Sequence, residues 1–194
     1  MDALSIARLQ YRAELHDRFY RNEDYTHKSS AERLQELLLK QKTSALAVMR
    51  AERDGHDHLN ALLLDGIIDM LVMLSLCKQS ADAVFMANGT ATETDLHLLV
   101  IESNALYRLG ERADSLSRRD LSLHAIGLCT VVLNLYVQLF RLHCPSNDGY
   151  LALALTARMN TIESQSVFYP FLNLRIGQLM AKARATASSH DKAV

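Results

Sequence analysis

The sequence predicts an all-α fold, a compact bundle of about seven helices around a central apolar helix near residues 120–144. Three observations carry this. Apolar residues recur at three- and four-residue spacing over most of the chain, with no convincing alternating stretch. The periodic segments begin at residues that cap helices and end at glycine or proline. Joins of about two to six residues favour antiparallel neighbours. In the central segment, DLSLHAIGLCTVVLNLYVQLFRLHC, stopped by Pro145, Leu121, Ala125, Leu128, Val132, Leu135, Leu139 and Leu142 make one row. Ile126, Cys129, Leu133, Tyr136 and Phe140 make a second beside it. Gly127, Val131, Asn134, Gln138 and Arg141 fill the remaining strip, so this helix should lie between at least two neighbours and wet one narrow edge.

The other elements follow in order. A first helix is expected from Asp2 to Arg21, with Leu4, Ala7, Tyr11, Leu15 and Phe19 buried and Arg8, Arg12, Glu14, Asp17, Arg18 and Arg21 on a solvated face. Ser29 or Ser30 caps a second helix ending near Asp54-Gly55, with Leu34, Leu37, Leu38, Ala45, Val48 and Met49 inward. A third runs from Leu59 to Lys78, with Asp57 as the capping residue before it. Gln79 to Thr94 reads as a long loop. A fourth helix starts at Thr94 or Asp95 and ends or bends at Gly110, and Glu111 to Arg119 reads as a further charged turn. After Pro145, Tyr150 to Ser166 places Leu151, Leu155, Met159 and Ile162 in line. Pro170 then opens a last helix reaching about Thr186. Residues 1–186 are thus expected to form one all-helical domain and 187–194 a frayed tail. Gly66 and Gly127 sit within the two most apolar helices, which suggests close helix crossings there.

Composition excludes several classes. With 21 basic and 22 acidic residues and a net charge of −1, nothing calls for nucleic acid or an anionic membrane as partner. Cys77, Cys129 and Cys144 lie in or at the end of apolar rows without C-x-x-C spacing, as buried thiols in a reducing compartment do. The first residues show no apolar signal core, and the longest apolar run is broken by Asn134 and Gln138, so the expected location is the cytoplasm.

Motifs for catalysis are sparse. There is no phosphate-binding glycine loop, dinucleotide fingerprint, H-E-x-x-H, G-x-S-x-G or E-x-x-H, and no cofactor is expected. Ser75 and Lys78 match S-x-x-K without its companion motifs. Glu32 and Glu36, followed by Asp65 and Asp69, resemble the acidic pairs of the MazG-type nucleoside triphosphate pyrophosphohydrolases, at i, i+4 spacing where that family has i, i+3. The resemblance implies magnesium held between the two pairs, since several carboxylates bind a hard cation and activate water. His56-Asp57, with His27 and His58 nearby, resembles the HD phosphohydrolases, which implies a metal-dependent helical hydrolase.

Against this metal-dependent alternative stands a binding protein. Leu62, Asp65, Asp69, Val72, Met73 and Leu76 mark an apolar strip with acidic punctuation on the third helix. Two ionised carboxylates one turn apart, if buried, need a cation or Arg, Lys or His partners; if exposed, the strip suits docking of another protein. The exposed, partner-facing reading is the one adopted. It makes the chain a cytoplasmic regulatory or adaptor protein that binds another protein or its own copy, in the manner of an anti-activator, chaperone or scaffold. A small-ligand cavity lined by Met70, Met73, Phe85 or Tyr136 is a third possibility.

Overall fold

Seven α-helices and no strand occur among the described residues; the computed structural model describes residues 3–21, 28–55, 57–82, 94–144, 148–166 and 168–190. They are α1 (Ala3–His16), α2 (Ser30–Asp54), α3 (Leu59–Leu76), α4 (Thr94–Glu111), α5 (Arg118–His143), α6 (Asp148–Glu163) and α7 (Tyr169–His190). The all-α bundle expected from the sequence is therefore observed. A π-helical turn, Asp17–Arg21, extends α1, and a short 3₁₀ turn, Ala113–Ser115, joins α4 to α5. Most of the expected loop after Gln79, together with His27, His56, Phe85 and residues 191–194, lies outside the described residues. The last helix continues to His190, beyond the expected end near Thr186.

Local chemistry sets the helix ends. Ser29 Oγ accepts from the Glu32 amide at 3.2 Å, and the Glu32 carboxylate accepts from the Ser29 amide at 2.6 Å. This reciprocal pair satisfies two otherwise orphan donors at the start of α2. Gly55, at φ 66°, closes the same helix in the left-handed conformation that glycine adopts without a Cβ penalty. Ser117 caps α5 by accepting from the Asp120 amide. At α3 the cap position falls on His58, not on Asp57, and no side chain caps the helix there.

Helices α2 to α5 form a four-helix core in which α2 and α5 each touch both α3 and α4. α1 and α6 pack on the far side of α3, and α7 rests against α1. So α3 is a wall shared by two layers. From Leu63 to Leu74 it is buried throughout except at half-buried Asp65. The expected central helix, α5, lies beside it with Leu121, Ala125, Cys129, Val132, Leu133, Leu135, Tyr136, Leu139 and Phe140 buried. Its strip of Gly127, Val131, Asn134, Gln138 and Arg141 is exposed or half-buried, as read from the sequence. α3 and α5 are both long and apolar enough to cross a bilayer, yet here more than half of α3 and half of α5 are buried against the rest of the chain.

The two mid-helix glycines part company. A Cβ on Gly66 would enter the ring of Tyr136, so α3 and α5 approach as closely as they do only because this position lacks a side chain. A Cβ on Gly127 would meet nothing within 4 Å, and no close crossing occurs there. A tight approach does occur at Gly110, where a Cβ would lie 3.0 Å from Leu38 Cβ of α2.

Gly66→Ala is expected to destabilise the fold by about 1–3 kcal/mol through overpacking against Tyr136. Gly127→Ala is expected to stabilise it by about 1 kcal/mol, the ordinary helical preference for alanine. Urea unfolding followed by circular dichroism measures both, and equal effects of one sign would contradict the crossing geometry.

Candidate functional site

The first helix departs most from the sequence reading. Its buried residues are Ile6, Leu9, Ala13 and Leu15, joined by Gln10, Arg12, His16 and Asp17; Ala7 is exposed and Tyr11 and Phe19 are half-buried. The expected solvated face holds at Arg8 and Arg18, which are exposed, and is corrected at Arg12, Asp17 and Arg21, which point into the protein. The reason is that α3, α6 and α7 all lie against α1, and the charges of this segment are met by Glu163 of α6, Arg33 of α2 and Asp69 of α3.

Three contacts run along this helix. Arg12 Nη2 donates to Glu163 Oε2 at 2.6 Å and to Asn160 Oδ1 at 3.2 Å, while His16 Nδ1 lies 2.8 Å from Glu163 Oε1. Both His16 and Glu163 are fully buried. One step on, Asp17 accepts from Arg33 Nε at 3.0 Å and from Nη2 at 2.5 Å, a two-pronged guanidinium–carboxylate pair with α2. At the end of the π turn, Arg21 Nη1 sits 2.6 Å from Asp69 Oδ1, and Lys40 Nζ donates to Asp69 Oδ2 at 2.9 Å. The π turn changes the face the chain presents beyond His16, and both Asp17 and Arg21 reach partners in the interior.

This settles where the expected binding row on α3 points. Asp69, Val72 and Met73 are 1 %, 1 % and 0 % exposed, and Leu62, Asp65 and Leu76 are half-buried. The exposed, partner-facing reading of the row is corrected, because α3 is packed on several sides, by α1, α2, α5 and α6. Asp65 is held by α6, whose Arg158 donates through Nε at 2.9 Å and Nη2 at 2.7 Å. Burial opposes the charge on Asp69, but Arg21 and Lys40 together outweigh it and hold the carboxyl below the usual carboxylate range. Tyr136, close enough to feel Asp69, is pushed upward, first by burial and then by that negative charge.

The acids of the MazG-like pattern do not meet. Glu32 is engaged by Ser29, Glu36 by Lys28 and Arg33, Asp65 by Arg158, and Asp69 by Arg21 and Lys40. Among the described residues no three His, Cys, Asp or Glu side chains are grouped to hold a metal ion. Met70, Met73 and Tyr136 are completely packed. Burial pushes the Cys129 thiol upward, and Cys77 likewise against an opposing hydrogen bond from Ser122, so both favour the unreactive protonated form. Ser75 Oγ donates to Glu14, which ties α3 to α1.

Two features were readable and missed. Glu163 continues the buried line of Leu151, Leu155 and Met159 in α6, an acid at an apolar position that demands a cation. Phe168, in the turn before α7, and Phe171 and Leu174, in its first turns, are 69 %, 72 % and 64 % exposed. Of α7, only Ile176 is buried among the residues whose side chains are described. That helix carries Arg175, Lys182 and Arg184 and no acid. The described residues therefore include a largely buried ionic seam inside and an exposed apolar and basic helix outside.

Asp69→Asn should cost roughly 3–5 kcal/mol, the penalty for leaving a buried cation without its partner, whereas Glu36→Gln, in a half-exposed pair, should cost less than about 1 kcal/mol. Because the folded-state pKa of Asp69 is depressed, its contribution is present above the unfolded value near about 3.9 and is lost as pH falls through the lower folded value. Urea midpoints measured from pH 6 to pH 3 should fall in the parent and fall less in Asp69→Asn. Compared with protein-family models, curated proteins and solved structures, the chain gives no significant match to any of them.

Proposed function

We propose that the protein works by binding, as a cytoplasmic regulatory or adaptor protein that engages another protein through α7. The observation that carries this reading is the placement of two phenylalanines and a leucine, each about two-thirds exposed or more, just before and within the first turns of a helix whose buried Ile176 faces the body. Single exposed apolar residues are ordinary, but large ones gathered on one element mark an interaction surface. Arg175 stands beside them and Lys182 and Arg184 follow about two to three turns on, so the partner is expected to offer an apolar groove with carboxylates along one side. The three free cysteines suit a reducing compartment.

The ionic seam supports a binding role in a different way. Its carboxylates are each satisfied by arginine, lysine or histidine of the same chain, which leaves them occupied in structure and not in chemistry. The docking role moves from the α3 strip to α7.

The double variant Phe171→Asp, Leu174→Asp is expected to melt within about 2 °C of the parent, since exposed positions contribute within about 0.5 kcal/mol. Immobilised parent protein should retain a partner from an extract of the native host, and the variant should lose it. Size-exclusion chromatography with light scattering shows whether the partner is a second copy. Capture of the same proteins by parent and variant would refute the α7 reading.

A further inference from the structure

Along one flank of the molecule α6 and α7 each lie against α1, and rows of residues at three- and four-residue spacing on the three helices line a groove of about 390 Å³. That is within the roughly 300–1,000 Å³ typical of small-molecule sites. Buried Leu9, Arg12 and Ile176 form its floor. Gly177 leaves it wide, since a Cβ there would meet nothing within 4 Å.

The charge of the groove has one sign. Arg8, Arg12 and Arg184 line it, and no carboxylate does. Arg12 is offset by Glu163, whose two oxygens are taken by Arg12 and by His16. The other acids described on α1 and its π turn are engaged elsewhere, Glu14 by Ser75 of α3 and Asp17 by Arg33 of α2. α7 carries none. Arg8 and Arg184, both exposed, therefore stand without an ion pair among the described residues, two like charges brought to one groove from two helices. Neutral groups add direction. Asn160 accepts from Arg12 through Oδ1, which leaves its amide nitrogen to donate, and Arg12 Nη1 is buried without an acceptor among the described residues.

We infer that this groove binds a small phosphate monoester, its phosphate between Arg8 and Arg184 and its organic body along Leu9, Ile176 and Met180. Two uncompensated guanidinium groups call for a dianion, and a phosphate monoester carries close to two negative charges at pH 7 and accepts from the guanidinium fork. A single carboxylate neutralises only one of them. The site does not rest on the docking role of α7, since Phe171 and Leu174 line no part of it. A ligand held there bridges α1 and α7, and binding only to the folded state raises the melting temperature by mass action.

Glycerol 3-phosphate, dimethyl phosphate and glycerol added to the intact protein test this by calorimetry and thermal unfolding, in about 0.15 M salt to screen diffuse surface attraction. Glycerol 3-phosphate at about a hundred times its Kd should raise the Tm by about 5–10 °C. Dimethyl phosphate, a monoanion, should bind about tenfold more weakly or worse, and glycerol should not bind. Arg8→Ala and Arg184→Ala, at exposed positions, should melt within about 2 °C of the parent and each weaken glycerol 3-phosphate about tenfold. Arg119→Ala, which removes the same charge from an exposed position outside the groove, should leave the affinity unchanged. Gly177→Phe, which fills the groove without altering its charge, should abolish binding while keeping the parent's circular dichroism. Equal affinity for glycerol 3-phosphate and dimethyl phosphate would overturn the dianion assignment. Absence of any heat or Tm shift with the folded parent, unchanged binding in the two arginine variants or in folded Gly177→Phe, or an equal loss in Arg119→Ala, would overturn the site.

Discussion

An ionised carboxylate placed inside a protein must be neutralised by its surroundings, and Asp69 imposes that constraint on everything packed around α3. Its two cations come from different layers. Lys40 belongs to α2 in the four-helix core, and Arg21 closes the π turn after α1 on the opposite side of α3. The carboxylate thus ties the layers through one residue. Had α1 docked one turn along, Arg21 would leave Asp69 half-neutralised and would itself be buried without a partner.

The same helix carries two more such pegs, Arg12 with Glu163 and Asp17 with Arg33, against only a few apolar anchors in Ile6, Leu9, Ala13 and Leu15. Buried ion pairs add little net stability over a well-packed apolar equivalent, because desolvation consumes most of their attraction, but breaking one is costly. Three pairs at Arg12, Asp17 and Arg21 therefore discriminate between registers more strongly than they stabilise the chosen one. Apolar packing of α2 to α5 holds the core together; charge decides how α1 lies on it.

This division explains what the sequence disclosed. The all-α class, the capped bounds of α2, and the wetted strip of α5 all follow from the spacing of apolar residues, and the structure has them. The solvent positions assigned to Arg12, Asp17 and Arg21 in α1 and its π turn and the exposed row assigned to α3 fail for one reason. Periodicity treats a charge as a sign of solvent, and a charge neutralised across helices has the same spacing. Arg12 and Glu163 lie 151 residues apart, and Asp65 and Arg158 lie 93 apart, so no local window contains both members. The converse holds at α7, where Phe168 and Phe171 are apolar by composition and yet stand in solvent. Gly66 and Gly127 make the same point, since only the neighbour, Tyr136 in one case and open space in the other, separates two equivalent glycines.

The seam also bears on α7, although among the described residues no ion pair joins it to that helix. Glu163 ends α6 at the turn leading into α7, and it is clamped by Arg12 and His16; just beyond, Tyr20 donates to the Tyr169 carbonyl at 3.4 Å. The root of α7 is thereby fixed to α1 while its outer face stays uncovered. Farther along, Ala181, Ala183 and Ala185 give the exposed turns high intrinsic helix propensity, so they need little tertiary burial to remain helical. A surface already held in its binding conformation loses less conformational entropy on association than one that must fold first. The buried charges of α1 and the exposed aromatic residues of α7 are in this sense one device: the former fix the angle at which the latter are offered.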